Sequence, residues 1–274
     1  MKSIPLLLMV ALVCLSVGRS EAEAIKDGHI EVELVSEEAG IQPGKPFWVA
    51  LHMTMDQGWH TYWKNPGDSG LATTIKWQLP EGFEPQEIQW PFPERFDEAG
   101  LTTYGYEGEV FLLTQIHPPM AMTQTTVPLK AKVKWLACEK ICVPGRADVT
   151  LNLPISETPP NPSEWQKAFF QTRQKLPQKV DWFVQAHEDK KFFYLHIRPP
   201  SEEIPLGDHL EFFPERKDVL EHAAKQTLKE SSTGWELILP KSSIVNGAIG
   251  SLQGTLVITR RDGSKKAIEV VIDQ

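Results

Sequence analysis

Cysteine is scarce in this chain. There are three among 274 residues, too few for a small fold stapled by many disulfides. A positive charge balance is missing as well: 28 Lys and Arg stand against 36 Asp and Glu, a formal charge of -8, which argues against a nucleic-acid partner. No apolar run reaches comfortable bilayer-spanning length, the uncharged stretch at 4–17 being too short. No Asn-x-Ser/Thr sequon occurs, because Asn161-Pro162-Ser163 has proline in the middle. What the chain does have is 41% hydrophobic and 23% charged residues, the balance of a packed protein rather than a disordered one. Its 22 prolines outnumber its 18 glycines, which disfavours a helical bundle and favours short strands joined by turns.

Lys2 precedes the apolar run, and Ala22-Glu23-Ala24 has the small-x-small spacing of a signal-peptidase site. Together they predict a secretory signal over residues 1–24, cleaved after Ala24. Its loss removes Cys14 and leaves Cys138 and Cys142 in an exported, oxidising setting.

Period-two alternation predicts strands at 29–35, 47–55, 75–79, 110–116, 127–135 and 149–153. Residues 58–70, rich in Trp, Gly and Asn-Pro, read as a loop. Lys130, Lys132 and Lys134 read as the exposed face of an edge strand. The fold class is all-β: an immunoglobulin-like β-sandwich over 25–156, then a second, smaller β-rich domain over 180–274. Between them, 157–179 reads as a linker and short helix. Asn161 is its expected cap, Pro162 its first residue, and Trp165, Ala168, Phe169 and Leu176 form its apolar face. In the second domain Phe192, Tyr194, His196, Trp235, Leu237 and Leu239 fall in alternating runs. A closing hairpin turns at Arg261-Asp262-Gly263-Ser264.

Chemistry concentrates in Cys138-Glu139-Lys140-Ile141-Cys142. Three readings fit it. A structural disulfide would close a loop of about five residues and contribute only about 2 kcal/mol, so a staple here is inefficient. A metal site would have two thiolates, half a tetrahedral zinc set; copper could add His52, Met53, Met55 or His60, although the methionines share phase with Phe47, Val49 and Leu51 and so read as core. A redox-active pair suits close spacing in a hairpin, where dithiol and disulfide interconvert with small movement. Lys134 and Lys140 would lower a thiol pKa and Glu139 would oppose them.

Three segments carry a family resemblance: Gly58-Trp59-His60-Thr61-Tyr62-Trp63-Lys64-Asn65-Pro66-Gly67-Asp68-Ser69-Gly70, Tyr104-Gly105-Tyr106-Glu107-Gly108-Glu109-Val110, and Cys138 through Gly145. In these the chain resembles the amino-terminal periplasmic domain of the DsbD group of thiol:disulfide interchange proteins, and more closely its ScsB-type relatives. The resemblance implies an immunoglobulin-like sandwich with the cysteines at one end. It implies that Cys142 attacks partner disulfides and Cys138 resolves the mixed disulfide. It places Trp59 and Tyr62 in an aromatic loop near the pair, and a shielding cap across Phe96, Asp97, Glu98 and Tyr104. It also implies a periplasmic electron relay, a protein-disulfide reductase component without cofactor or metal. The donor would be a membrane-embedded thiol reductant or a thioredoxin-like protein, and the acceptors periplasmic thioredoxin-fold proteins. A noncatalytic envelope binding module with a structural disulfide, and a copper-handling protein, are the competing expectations.

Overall fold

The computed structural model describes residues 21–199, 209–231, 234–244 and 250–273, so most of the expected signal segment lies outside the described residues. Before the one described helix come β1 (Glu21–Ala22), β2 (Ile25–Asp27), β3 (Ile30–Ser36), β4 (Phe47–Met55), β5 (His60–Gly67), β6 (Thr74–Gln78), β7 (Glu84–Pro85), β8 (Glu94–Glu98), β9 (Leu101–Glu107), β10 (Glu109–His117), β11 (Thr126–Cys138) and β12 (Cys142–Pro154). After helix α1 (Gln166–Gln174) come β13 (Phe183–Glu188), β14 (Phe192–Arg198), β15 (His209–Pro214), β16 (Thr227–Ser231), β17 (Gly234–Pro240), β18 (Ser251–Thr259) and β19 (Lys265–Asp273). No helix among the described residues is long and apolar enough to cross a membrane.

The first half is two facing sheets. One runs β1-β12-β11-β5-β9-β8 with β6 also on β11, and the other runs β2-β3-β4-β10-β7. Strict alternation on β11 puts Val127, Leu129, Ala131, Val133, Trp135 and Ala137 inside and the lysines outside. On β4 the inner set is Phe47, Val49, Leu51, Met53 and Met55, as the sequence predicts. The outer face of that second sheet is covered too. Phe169 of α1 is fully buried among Val35, Ala50, Phe111 and Leu113. Sandwiched between a core and a helix, β4 is buried on both sides, which its apolar run Phe47–Met55 reflects.

The second half is a smaller sandwich of the sheets β13-β14-β17-β16 and β15-β18-β19, with its own core. The chain is thus all-β in architecture: an immunoglobulin-like sandwich followed by a second β-rich unit.

Four local expectations are corrected. Residues 60–67 form a strand, not a loop, because β5 is held between β9 and the end of β11. The lysine stripe sits on a central strand, paired on both sides by β12 and β6. The helix starts at Gln166, with no side-chain cap at Trp165. Asn161 instead accepts the Ala39 backbone N–H, and Ser163 turns the chain by bonding Ser36 and Trp165. On β14 the buried set is Phe193, Leu195 and Ile197. Tyr194 and His196 lie on the outer face, where Tyr194 stacks on His187 with ring centroids 4.5 Å apart.

One contact governs how closely β5 and β9 approach. A Cβ at Gly105 would run into the Thr61 carbonyl oxygen across the ladder. Gly105→Ala is expected to destabilise the protein by about 2–3 kcal/mol through forced backbone movement, read as a lowered urea midpoint at unchanged slope.

Candidate functional site

The β11–β12 hairpin pairs continuously from Thr126↔Pro154 to Cys138↔Cys142, and the two cysteines close it with a disulfide at a Cα–Cα distance of 4.2 Å. Only Glu139, Lys140 and Ile141 lie beyond, at the tip. Ile141 is exposed there, and Lys140 stands 3.8 Å from Glu139, so its charge is partly answered locally.

The two sulfurs differ in surroundings because the two strands differ in neighbours. At Cys138, β11 has β12 on one side and His60 of β5 on the other. At Cys142, no further strand lies outside β12 among the described residues, since β1 reaches only Leu151 and Asn152. Cys138 is therefore 5% exposed, whereas Cys142 is exposed at the sheet edge. The two sulfurs of one bond thus meet solvent unequally, the first inside the sheet and the second at its edge.

Aromatic side chains back the pair. The Tyr62 hydroxyl lies 3.5 Å from Cys142 Sγ and is the donor, because a disulfide sulfur carries no hydrogen. Burial raises the Tyr62 pKa, and the Glu98 carboxylate adds to it, so the phenol keeps its proton. His60 meets Tyr62 edge-on at 5.3 Å and stacks on Phe96 at 4.7 Å. Burial pushes His60 below the ordinary histidine value, against the smaller pull of Glu98 and Glu107. It is the neutral imidazole that sits beside the disulfide.

Phe96 and Glu98 belong to the β8–β9 hairpin, which replaces the expected loop. The hairpin turns tightly at Ala99 and Gly100, both at positive φ (50° and 82°). Asp97 points elsewhere: it accepts from Arg95 Nε at 2.9 Å and from Thr102, which hold its carboxyl below the usual range. Tyr104 is buried with its hydroxyl 3.0 Å from His222 of the second unit. Trp59 stacks on His29 at 3.8 Å and joins the core. The structure thus sets Tyr62 against Cys142, Phe96 on His60, and the Glu98 charge near His60 and Tyr62, while Trp59, Asp97 and Tyr104 make other contacts.

His60 enters the site through the ladder partner of Cys138, a signal invisible without register. The side chains considered for copper do not converge. Met53 and Met55 take hydroxyl contacts from Thr73 and Thr61 inside the core. His52, on the opposite face of β4, is held by Glu33 at 2.9 Å and Glu109 at 2.8 Å.

Residues 31–154 match a family model described as thiol:disulfide interchange protein DsbD, N-terminal. No curated protein matches the chain. Among solved structures, the N-terminal periplasmic domain of ScsB from Proteus mirabilis is similar at TM-score 0.65 and 19% identity, over 92% of this chain and 97% of that one. At that identity the likeness speaks for the fold. Domains 5-6 of the S-layer protein SbsC (TM-score 0.23, 7% identity, 93% and 99% coverage) and the YadV chaperone (0.23, 10%, 88% and 99%) superpose too loosely to carry an argument.

The neutral His60 has a consequence for stability. The unfolded chain takes up a proton on its histidine from about pH 6.5 downward, while the folded chain resists until lower pH. The unfolded state binds more protons in that window, so stability is lost as pH falls. His60→Gln is expected to flatten the fall in urea midpoint between about pH 7 and pH 5. Parallel curves for the two proteins would contradict this.

Proposed function

We propose that this chain, whose residues 31–154 match the DsbD N-terminal family model, is a periplasmic thiol:disulfide interchange protein that relays electrons through Cys138 and Cys142. The reading includes export by a cleaved signal over 1–24, a redox domain over 25–156, a linker and helix over 157–179 and a second domain over 180–274. The observation that carries it is the unequal exposure of two sulfurs that share one hairpin end.

In the reduced protein the Cys142 thiolate attacks one sulfur of a partner disulfide. A mixed disulfide forms, and the partner's other sulfur leaves as a thiolate. The Cys138 thiolate then attacks Cys142 Sγ, the Cys138–Cys142 bond forms, and the partner's remaining sulfur leaves. Two electrons have passed to the partner, and two protons complete its dithiol. A dithiol donor of the membrane-embedded or thioredoxin-like kind returns the electrons by the same two steps in reverse. Thioredoxin-fold proteins of the periplasm are the acceptors. Tyr62, Phe96 and Glu98 limit access to the pair between encounters. No cofactor takes part.

The disulfide's small contribution to the fold supports this role. It closes a loop of about five residues, worth about 2 kcal/mol, at the end of a hairpin already held by a ladder of 13 register pairs. Breaking it leaves the ladder in place, so both redox forms keep one fold.

The test is trapping. Mature Cys138→Ser, mixed with an oxidised thioredoxin-fold protein, is expected to accumulate a covalent one-to-one adduct that dithiothreitol releases. Cys142→Ser is expected to give little or none. Absence of adduct across several such partners, or equal adduct from both variants, overturns the relay.

A further inference from the structure

The β15-β18-β19 sheet is covered on one face and, around Phe213, Val257 and Ala267, on the other as well. Leu210, Phe212, Leu256, Ile258 and Ile268 point into the second unit's own core. Phe213, Val257 and Ala267, in the opposite phase, join the core of the first sandwich. What they pack against is specific. Phe213 meets Trp63 of β5 edge-on at 6.3 Å and Tyr104 of β9 at 5.0 Å.

Polar ties run along the same seam. Between Tyr62 and Gly67 the β5–β9 register breaks, and the residues freed from the ladder reach the second unit. Asn65 Nδ2 donates to the Pro214 carbonyl at 2.7 Å, and Lys64 pairs with Glu215. On the β8–β9 hairpin, Arg95 lies 3.7 Å from Glu211. The Tyr104 hydroxyl donates to His222 Nδ1, because His222 Nε2–H is committed to the Lys217 carbonyl at 2.6 Å.

Both elements gripped this way carry walls of the disulfide site. β5 bears His60 and Tyr62 at its other end, and the hairpin bears Phe96, stacked on His60. We infer that the second unit is a positioning device for the thiol site: Glu211 and His222, seated around Phe213, hold the β8–β9 hairpin so that Phe96 stays over His60 beside the cysteines. β8 is the edge strand of its sheet, held there by β9 alone, and such an edge opens locally more readily than the strands inside. The inference rests on the thiol-exchange reading of the pair, but its test uses no protein partner.

The experiment measures the rate at which dithiothreitol reduces Cys138–Cys142 in the full mature chain. Glu211→Gln and Tyr104→Phe each remove one polar tie and leave the apolar contacts of Phe213. Each is expected to speed reduction about threefold or more, within the coupling range of residues in contact. Phe96→Ala is expected to speed it as well, and adding Glu211→Gln to Phe96→Ala is expected to give no further gain. Merely loosened packing would not produce that non-additivity. Hydrogen exchange supplies a second reading: amides of 94–107 should exchange faster in Glu211→Gln while those of β3 and β4 do not change. Wild-type reduction rates in both tie variants, no effect of Phe96→Ala, or full additivity of the double variant overturns the positioning role. Failure of the trapping experiment above leaves these rates unaffected, so the two readings fail separately.

Discussion

The antiparallel ladder between β11 and β12 is the constraint on which the molecule depends. Its register is specified by alternation. Every second residue from Val127 to Ala137 is buried, opposite Ala147, Val149, Leu151 and Leu153. A slip of one residue would turn all of these to solvent and all of the lysines inward. The same register brings two cysteines four apart in sequence opposite each other at the hairpin end, and sets His60 as the outer neighbour of one of them. Chemistry at the tip is thus a by-product of packing along the arm, and the asymmetry of the sulfurs follows from where the neighbouring strands stop.

Aromatic and imidazole groups line one side of this pair, held there by the strands that carry them. His60 and Tyr62 project from a strand whose residues are nearly all buried, and Phe96 comes from the adjoining hairpin. A neutral histidine, a protonated phenol and a phenyl ring form a low-polarity wall on one side of the sulfurs, while Cys142 stays open on the other. In the proposed exchange a partner approaches one sulfur along the bond axis, and an open edge beside this wall would confine that approach to one side.

Much of this was legible in the residues, and the rest was hidden for identifiable reasons. β4 declared itself by the shared phase of Phe47, Val49, Leu51, Met53 and Met55, and the β11–β12 hairpin by clean alternation. β5 did not, because Gly-Trp-His and Asn-Pro-Gly carry turn chemistry that tertiary pairing overrides. The phase of β14 was misleading. Its outward face carries rings as large as its inward one, and a cross-strand stack of His187 with Tyr194 and His196 supports them there. Tyr104 read as a cap residue by its position near Phe96, yet strand parity turns it the other way, to Phe213 and His222. Pairwise register is what separates such neighbours, and one sequence does not display it.

The two-faced sheet of β15, β18 and β19 bears on how this chain can be divided. A fragment stopping near residue 156 would keep the cysteines and the ladder, yet would bare Trp63 and Tyr104, and the covering Phe213, Val257 and Ala267 would be gone. The complementary fragment would carry the matching apolar patch. Each piece would present to water a surface made for the other, and so would tend to self-associate in isolation. Modularity in the order of the strands does not extend to solubility: the cores of the two units meet along one shared seam.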